Sequence, residues 1–503
     1  MNSNMENGAD LGGDAENGTV PGATRTLRLD VPPSPWFAFF FHVRATLPWE
    51  RAFPTAGHGA QAGAPRAWAE GPLTLKAGRL SADHSYRTAN TYTEVRDRII
   101  ARNVRKCLVV PGGAPLELNA GNPGRSPFTV RAFEAVAVSG DGAGCQAVLV
   151  MHVRASTSDL RDLSAHFPKR WHTEQLNAAA KSLLVTSAGL PQDCLTFLSA
   201  TGGENPLGGW LRTMVCAPMG GPRPWNDAER DAAQLARLSW QWATMSPAAD
   251  SLNYLELRDA EDRVRSVGHT SFVRVSARTT AYLLGQEPVG AVITLAEVLS
   301  LHLDAHLLVE LNRIRVRQLS MKLAGLGRKL GDATSNHTLR DTGGPHDGAP
   351  TSTEERFDSL ISEAIELDNE VALLLSIDWW SEAAGNSRTD VILRWVKEHL
   401  MLAEAIDSLT DQARVVRESI QTLLERREHQ MEANRAASER RLEFIIGMLG
   451  VIGVPLTAAW DAWLAWGGDG TTGRAVGCAA FLLVFFASVS GAWLWVRRKY
   501  RTK

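Results

Sequence analysis

Two uncharged stretches near the carboxyl end constrain this 503-residue chain more than anything else in it. Phe444 to Trp460 is seventeen residues without a formal charge, and Ala475 to Val496 is twenty-two more. Gly467 to Arg474 (GGDGTTGR) separates them. At about 1.5 Å of rise per residue, helices of 17–25 apolar residues match a hydrocarbon layer of about 30 Å. No water is present there to satisfy the backbone, so such a run must be helical. The tail is therefore expected to be a transmembrane hairpin. Arg440 and Arg441 precede the first run, and Arg497, Arg498, Lys499, Arg501 and Lys503 follow the second. The connecting loop carries only Asp469 and Arg474. By the positive-inside bias both flanks, and with them both termini, are expected in the cytoplasm of a multi-pass cell-membrane protein. Trp460, Trp463 and Trp466 at one end and Trp493 and Trp495 at the other fit interfacial belts.

The formal net charge is −2, which gives no general attraction to nucleic acid. Residues 1–30 are rich in Gly, Asn and Asp without an apolar core, as in a disordered tail and unlike a signal peptide. Cys107, Cys145, Cys194, Cys216 and Cys478 are widely spaced, with no C-x-x-C pair, which suits a reducing compartment.

From 31 to 330 the pattern is mixed α/β. Apolar runs predict strands at Trp36–Leu47, Lys106–Val110, Phe128–Val138, Cys145–Ser156, Cys194–Ser199, Trp210–Cys216, Leu252–Leu257 and Ser271–Ala277. Helical patterns lie between some of them, at Ser158–Phe167, Glu174–Leu184 and Asp227–Met245. Phe41-His42-Val43-Arg44-Ala45-Thr46 is echoed by Met151-His152-Val153-Arg154-Ala155-Ser156. Alternation puts His and Arg of each copy on one strand face. Either a duplicated unit presents His42, Arg44, His152 and Arg154 to an anion or nucleotide, or two strands with polar outer faces coincide. No phosphate loop, H-E-x-x-H or G-x-S-x-G pattern is present to support an enzyme, and no cofactor is expected.

From Ala291 to Lys329 the apolar period becomes helical. His302 and His306 stand at i, i+4, the spacing of a two-His metal edge, but no third ligand follows. Residues 331–352 read as a polar linker. Across 353–443 an acidic helix, with an apolar stripe of Phe357, Leu360, Ile361, Ile365 and Val371 or Leu374, leads to a long stalk helix starting near Asp390. Its seam runs Leu402, Ile406, Leu409, Ala413, Val416, Ile420, Leu423, and no Gly or Pro stops the helix before Phe444. The hairpin and basic tail fill 444–503. The expected fold class is thus an α+β cytoplasmic region, a long stalk helix and two C-terminal transmembrane helices.

Pro455-Leu456-Thr457 within the first run, the stalk before it and Arg497-Arg498-Lys499-Tyr500 after the second resemble the CorA-like magnesium-transporter family over about 353–503. The resemblance implies a homo-oligomer, a pentamer, with first spans lining an axis and a divalent cation as permeant or regulatory ion. The pore lining would comprise Gly447, Gly450, Gly453, Pro455, Thr457 and Asp461, with Thr457 offering a hydroxyl ring, Asp461 a carboxylate ring and the three glycines close approach of helices. The three glycines equally suit a dimer seam, and Asp461 an interfacial position. Arg497, Arg498 and Lys499 would make a cationic ring or meet lipid headgroups. The family's Gly-Met-Asn signature is replaced by Leu464-Ala465-Trp466, which cannot hold a hydrated Mg²⁺ in the same way. The remaining reading is a membrane-anchored sensor or effector, tethered by the hairpin and triggered by a nucleotide or protein.

Overall fold

The computed structural model describes residues 25–29, 34–55, 67–77, 80–117, 126–141, 144–167, 173–191, 193–198, 210–219, 228–246, 264–266, 271–276, 278–285, 288–340, 351–378 and 387–466, with a few positions between 479 and 491. Contacts divide the chain into two units, Met1–Val416 and Arg417–Lys503.

The first unit is built on a ten-stranded mixed sheet. Its strands run β11 (Val264–Ser266), β12 (Phe272–Val275), β13 (Thr279–Leu284), β10 (Trp210–Pro218), β2 (Trp36–Ala45), β8 (Gly144–Ala155), β7 (Phe128–Asp141), β6 (Arg105–Pro115) and β3 (Ala69–Glu70), with β9 (Leu195–Phe197) on the far end of β2. The pairings are antiparallel except β10 with β13. A separate three-stranded sheet joins β1 (Thr26–Arg28), β4 (Thr74–Ala77) and β5 (Leu80–Ala82). Gly112 and Gly113 both have positive φ, at a register shift between Val109 and Ala114 in β6. A side chain at Gly113 would collide with Thr129, so the bend needs glycine.

Alternation gives the sheet two unlike faces. On one, Phe37, Phe39, Phe41 and Val43 of β2 join Leu149, Met151 and Val153 of β8 in the main apolar core. Leu163 of α4 (Leu160–His166), Leu176, Ala180 and Leu184 of α5 (Thr173–Ala188) and Trp242 of α6 (Ala228–Thr244) complete it. Each buried Phe or Leu contributes about 1.5–3 kcal/mol of transfer free energy.

The second face lies under one long helical element. It begins as α7 (Pro288–Glu297), passes a π turn at Val298–His302, and continues as α8 (Leu303–Arg340). Val298 to Leu303 are all buried, as expected of a helix enclosed on every side. Among the described residues, Val289–Asp332 is the helix long and apolar enough to cross a membrane, yet 83% of its apolar window is buried inside the chain. It is placed as a core helix, and the helical period predicted for Ala291–Lys329 is observed.

Helix α9 (Thr351–Leu373) packs on α8, with Lys322 Nζ 2.8 Å from Glu370 and Lys329 Nζ 2.7 Å from Glu363. Its buried stripe is Ala364, Leu367 and Val371, continued by Leu374 in the π turn Leu374–Asp378 that follows. Ile365, expected inside, is 57% exposed, because the face turned to α8 lies a third of a turn away. The predicted linker overlaps α8 as far as Arg340, and 341–350 lie outside the described residues. The predicted strand Leu252–Leu257 lies outside them too.

The stalk is broken where the sequence shows no breaker. Met401 takes φ 49°, so α10 (Ser387–His399) ends and a separate helix, α11 (Leu402–Trp466), begins. Its 65 residues span roughly 100 Å. Leu402, Ile406, Leu409, Ala413 and Val416 of the predicted seam are buried.

Candidate functional site

The two echoed motifs lie on neighbouring strands. β2 pairs antiparallel with β8, Ala38 faces His152, and Arg44 faces Gln146. All four predicted residues, His42, Arg44, His152 and Arg154, therefore share the sheet face turned to α8. They do not converge. His42 sits four residues along β2 from the partner of His152, roughly 14 Å at strand rise. His42 Nε2 is 3.0 Å from Gln146 Oε1, which also accepts from Gln318 Nε2 at 2.6 Å. His152 Nε2 is 2.9 Å from Glu134 Oε1, and Arg154 Nε donates to Ser34 Oγ at 2.7 Å. Arg44 is exposed.

Around His152 the interface holds a buried ion network. Arg105 of β6 donates through Nε to Glu134 Oε2 at 2.8 Å and through Nη1 to Asp304 Oδ1 at 2.6 Å. Asp304, two residues into α8, also accepts from Arg87 Nη1 at 2.9 Å. Arg87 belongs to α2 (His84–Ala89), a short helix started by Asp83, whose carboxylate accepts from the Tyr86 amide. Its Nη2 donates to the Leu73 carbonyl, and the Leu73 amide donates to Glu134. Every ionic side chain here is at most 5% exposed. Two guanidiniums balance two carboxylates, the condition under which buried charge is tolerated. Burial would raise the Glu134 carboxyl, but Arg105 and the His152 hydrogen bond hold it well below the usual carboxylate range. Burial likewise opposes the Arg105 charge, and Glu134 and Asp304 hold its pKa above the ordinary value.

A second polar group lies farther along α8. His302, His306, Glu310 and Arg313 recur at steps of four, four and three, one helical face. His306 Nε2 is 3.2 Å from the Tyr282 hydroxyl, and its ring meets Phe40. His302 lies against the Tyr282 ring, centroids 5.5 Å apart. Burial lowers the His302 and His42 pKa values to about 4 and that of His306 well below 6.5, so all three are neutral near pH 7. Arg212 of β10 is fully buried and donates through Nη2 to the Ser276 carbonyl at 2.8 Å and to Thr280 Oγ1 at 3.0 Å. Its pKa falls to about 10 through burial, partly offset by Glu310. Among the described residues no group of three or more His, Cys, Asp or Glu side chains could hold a metal ion.

Sequence reading did not single out Arg87, Arg105, Glu134, Asp304, Arg212 or Glu310. The available signal was charge inside an apolar run: Glu134, with Arg131, within Phe128–Val138, Arg212 alone within Trp210–Cys216, and Asp304 and Glu310 within the apolar helix.

For the predicted pore, Gly447, Gly450, Gly453, Pro455, Thr457 and Asp461 all lie in α11. Thr457 is exposed, and the side chains of the other five lie outside the described residues, as do Arg497, Arg498 and Lys499. Most of 475–496 is outside them as well.

No protein-family model matches the chain, and no curated protein does. Among solved structures, the complete structure of the CorA magnesium transporter from Methanocaldococcus jannaschii matches 59% of this chain and 94% of that one, at 10% identity and a TM-score of 0.23. A superposition that loose defines neither the fold nor the activity of this protein.

Proposed function

We propose that the chain is a CorA-like integral membrane protein, a homo-oligomeric ion channel or transport-related protein gated by its cytoplasmic α+β unit. One observation carries the membrane half of this reading. Val289–Asp332 hides its apolar window in the fold, whereas the large apolar side chains described near the carboxyl end stand outside it. Leu442 is 58% exposed, Ile446 63%, Leu482 51%, Leu483 72% and Phe486 63%. Large apolar side chains exposed in that number suit lipid or a partner surface, not water.

The oligomer half rests on α11. Leu424, Met431, Leu442 and Ile446 are exposed at steps of 7, 11 and 4, which keep to one helical face. A second copy of the chain would cover them, a pentamer if the family pattern holds. Thr457 and Asp461 are the residues we assign to the conduction path, with a divalent cation as the ion. Reconstituted liposomes test this directly: cation flux should fall in Asp461→Ala and Thr457→Leu. Tight liposomes for the wild-type protein across divalent cations would reject it.

Leu464-Ala465-Trp466 in place of Gly-Met-Asn favours a second reading, in which the hairpin only tethers a sensor or effector. The mass of the detergent-solubilised protein separates the two, a pentamer favouring the channel and a monomer or dimer the tether.

A further inference from the structure

A cationic corner beside α2 takes no part in the networks described above. Gly71 follows β3 and has φ 87°, in the left-handed region that favours glycine. Its amide donates to the Arg105 carbonyl at 2.7 Å, which fixes it against the first residue of β6. A Cβ on Gly71 would stand 3.7 Å from Arg102 Cγ, 3.7 Å from His84 Cδ2 and 3.9 Å from Arg25 Nη1. Side chains from three segments thus gather around one point that a side chain would otherwise fill. Each segment is held by its backbone. The Arg25 carbonyl accepts from the Thr74 amide at 2.9 Å, and the Val104 and Arg105 amides close the turn of Arg102 on the Ala101 carbonyl. His84 is the first residue of α2.

The His84 ring is oriented toward that point. The Thr88 hydroxyl donates to the His84 carbonyl at 2.6 Å, so toward the ring its oxygen acts as acceptor, with Nδ1 3.3 Å away. The proton of the neutral ring is thereby assigned to Nδ1, and Nε2, bonded to Cδ2, is a bare acceptor on the Gly71 side. Burial, then Arg102 and Arg25, and last Arg96 of α3 (Thr93–Ile99) hold the His84 pKa below its ordinary value, and Asp83 opposes them. Asp83 already accepts from the Tyr86 amide, Asp97 lies 3.4 Å from Arg96, and Glu70 and Glu94 are exposed. Among the described residues no carboxylate pairs with Arg25 or Arg102. Arg25 and His84 are half-buried and Arg102 is exposed, so solvent reaches the point. Guanidinium forks and a protonated imidazole are donors suited to phosphate oxygens.

We propose that Arg25, Arg102 and His84 form a binding site for a dianionic phosphate group, free or as a monoester, at the Gly71 opening beside α2. Arg25 Nη1 and the Arg102 guanidinium pair with its oxygens. The bound dianion draws a proton from solvent onto His84 Nε2, which then donates to a third oxygen while Thr88 keeps the ring in place. The site is independent of conduction through the membrane: loss of flux leaves it standing, and loss of binding leaves the flux experiment standing.

Titration calorimetry of the full-length protein in detergent, with inorganic phosphate as probe at pH 8 and constant ionic strength, tests it. The wild-type protein should show saturable binding of one phosphate per chain. Arg25→Gln and Arg102→Gln should each weaken it about tenfold or more, the scale of one lost charge-assisted pair. Arg28→Gln, an exposed arginine of the same segment outside the cluster, should leave it unchanged. Sulfate, a dianion throughout, serves for the pH dependence: wild-type affinity should rise several-fold from pH 8 to pH 6, and His84→Gln should abolish that rise. Monomeric dihexanoyl phosphatidic acid separates the two sources of the group, since binding about tenfold tighter than free phosphate assigns a lipid headgroup and equal or weaker binding a soluble phosphate. No saturable phosphate binding by the wild-type protein overturns the proposal. So does unchanged affinity in Arg102→Gln, whose exposed position keeps the fold intact, an equal loss in Arg28→Gln, or sulfate binding that ignores pH.

Discussion

Asp304→Asn removes one negative charge from the most enclosed ionic network in the molecule. In the wild-type protein Arg87 and Arg105 face Glu134 and Asp304, and all four side chains are nearly or wholly inaccessible. After the substitution two guanidiniums share one carboxylate, and the amide oxygen, which can still accept from both arginines, carries no formal charge. Breaking one partner out of a buried pair costs about 3–5 kcal/mol, because the survivor is left uncompensated. At about 1.4 kcal/mol per factor of ten, amides whose exchange requires α8 to leave the sheet should exchange about 100- to 4000-fold faster. Hydrogen exchange read by mass spectrometry over 303–318, β6 and β7 measures this. The double variant Arg87→Met/Asp304→Asn restores balance, one guanidinium against one carboxylate. It should recover part of the loss, with a coupling of about 0.5–3 kcal/mol. An acceleration below about tenfold, or a double variant no better than the sum of the singles, would show that charge balance does not govern this interface.

Stability of the first unit should decline on acidification. His42 and His302, with folded pKa values of about 4 against an ordinary 6.5, bind protons only once unfolded across that window, so stability is full above 6.5 and lost as pH falls toward 4. His302→Phe should flatten the pH dependence of urea midpoints between 6.5 and 4, and an unchanged slope would discard the assignment. Burial pushes the Cys107 thiol up to about 12 and the Cys145 thiol to about 11, and Cys194 and Cys216 are buried too. A thiol reagent at pH 8 should leave these four unlabelled in native Cys478→Ser protein and label them in denaturant. Phe39→Ala, at the centre of the aromatic core, should destabilise by about 3–5 kcal/mol in chemical denaturation, and a loss under 1 kcal/mol would contradict its complete burial.

Local pattern anticipated much of this fold, and the failures have identifiable causes. Strands β2, β7, β8 and β10 and helices α4 to α6 were readable because each keeps its apolar period despite single charges such as Glu134 and Arg212. The shared face of His42 and Arg44, and of His152 and Arg154, follows from a two-residue period that needs no tertiary information. Ile365 was misplaced because an acidic helix with apolar residues on two sides does not declare which side meets α8. The stop at Met401 was invisible for a different reason: a non-glycine residue in the left-handed region costs about 1–2 kcal/mol, which only packing on both sides can offset.

By itself the sequence determined the periodicities: an apolar helix over Ala291–Lys329, alternating strands, and two uncharged carboxyl-terminal runs bounded by basic residues. Tertiary structure decided which apolar helix belongs inside the fold, since length and composition are alike for a core helix and a membrane helix and only burial distinguishes them. It also decided which charges meet. Arg87 and Asp304 are 217 residues apart in the chain, and Arg105 and Asp304 are 199 apart. A charge in an apolar run signals that a partner must exist, because burial without one is prohibitive. The identity of that partner is set only when sheet and helix close on each other.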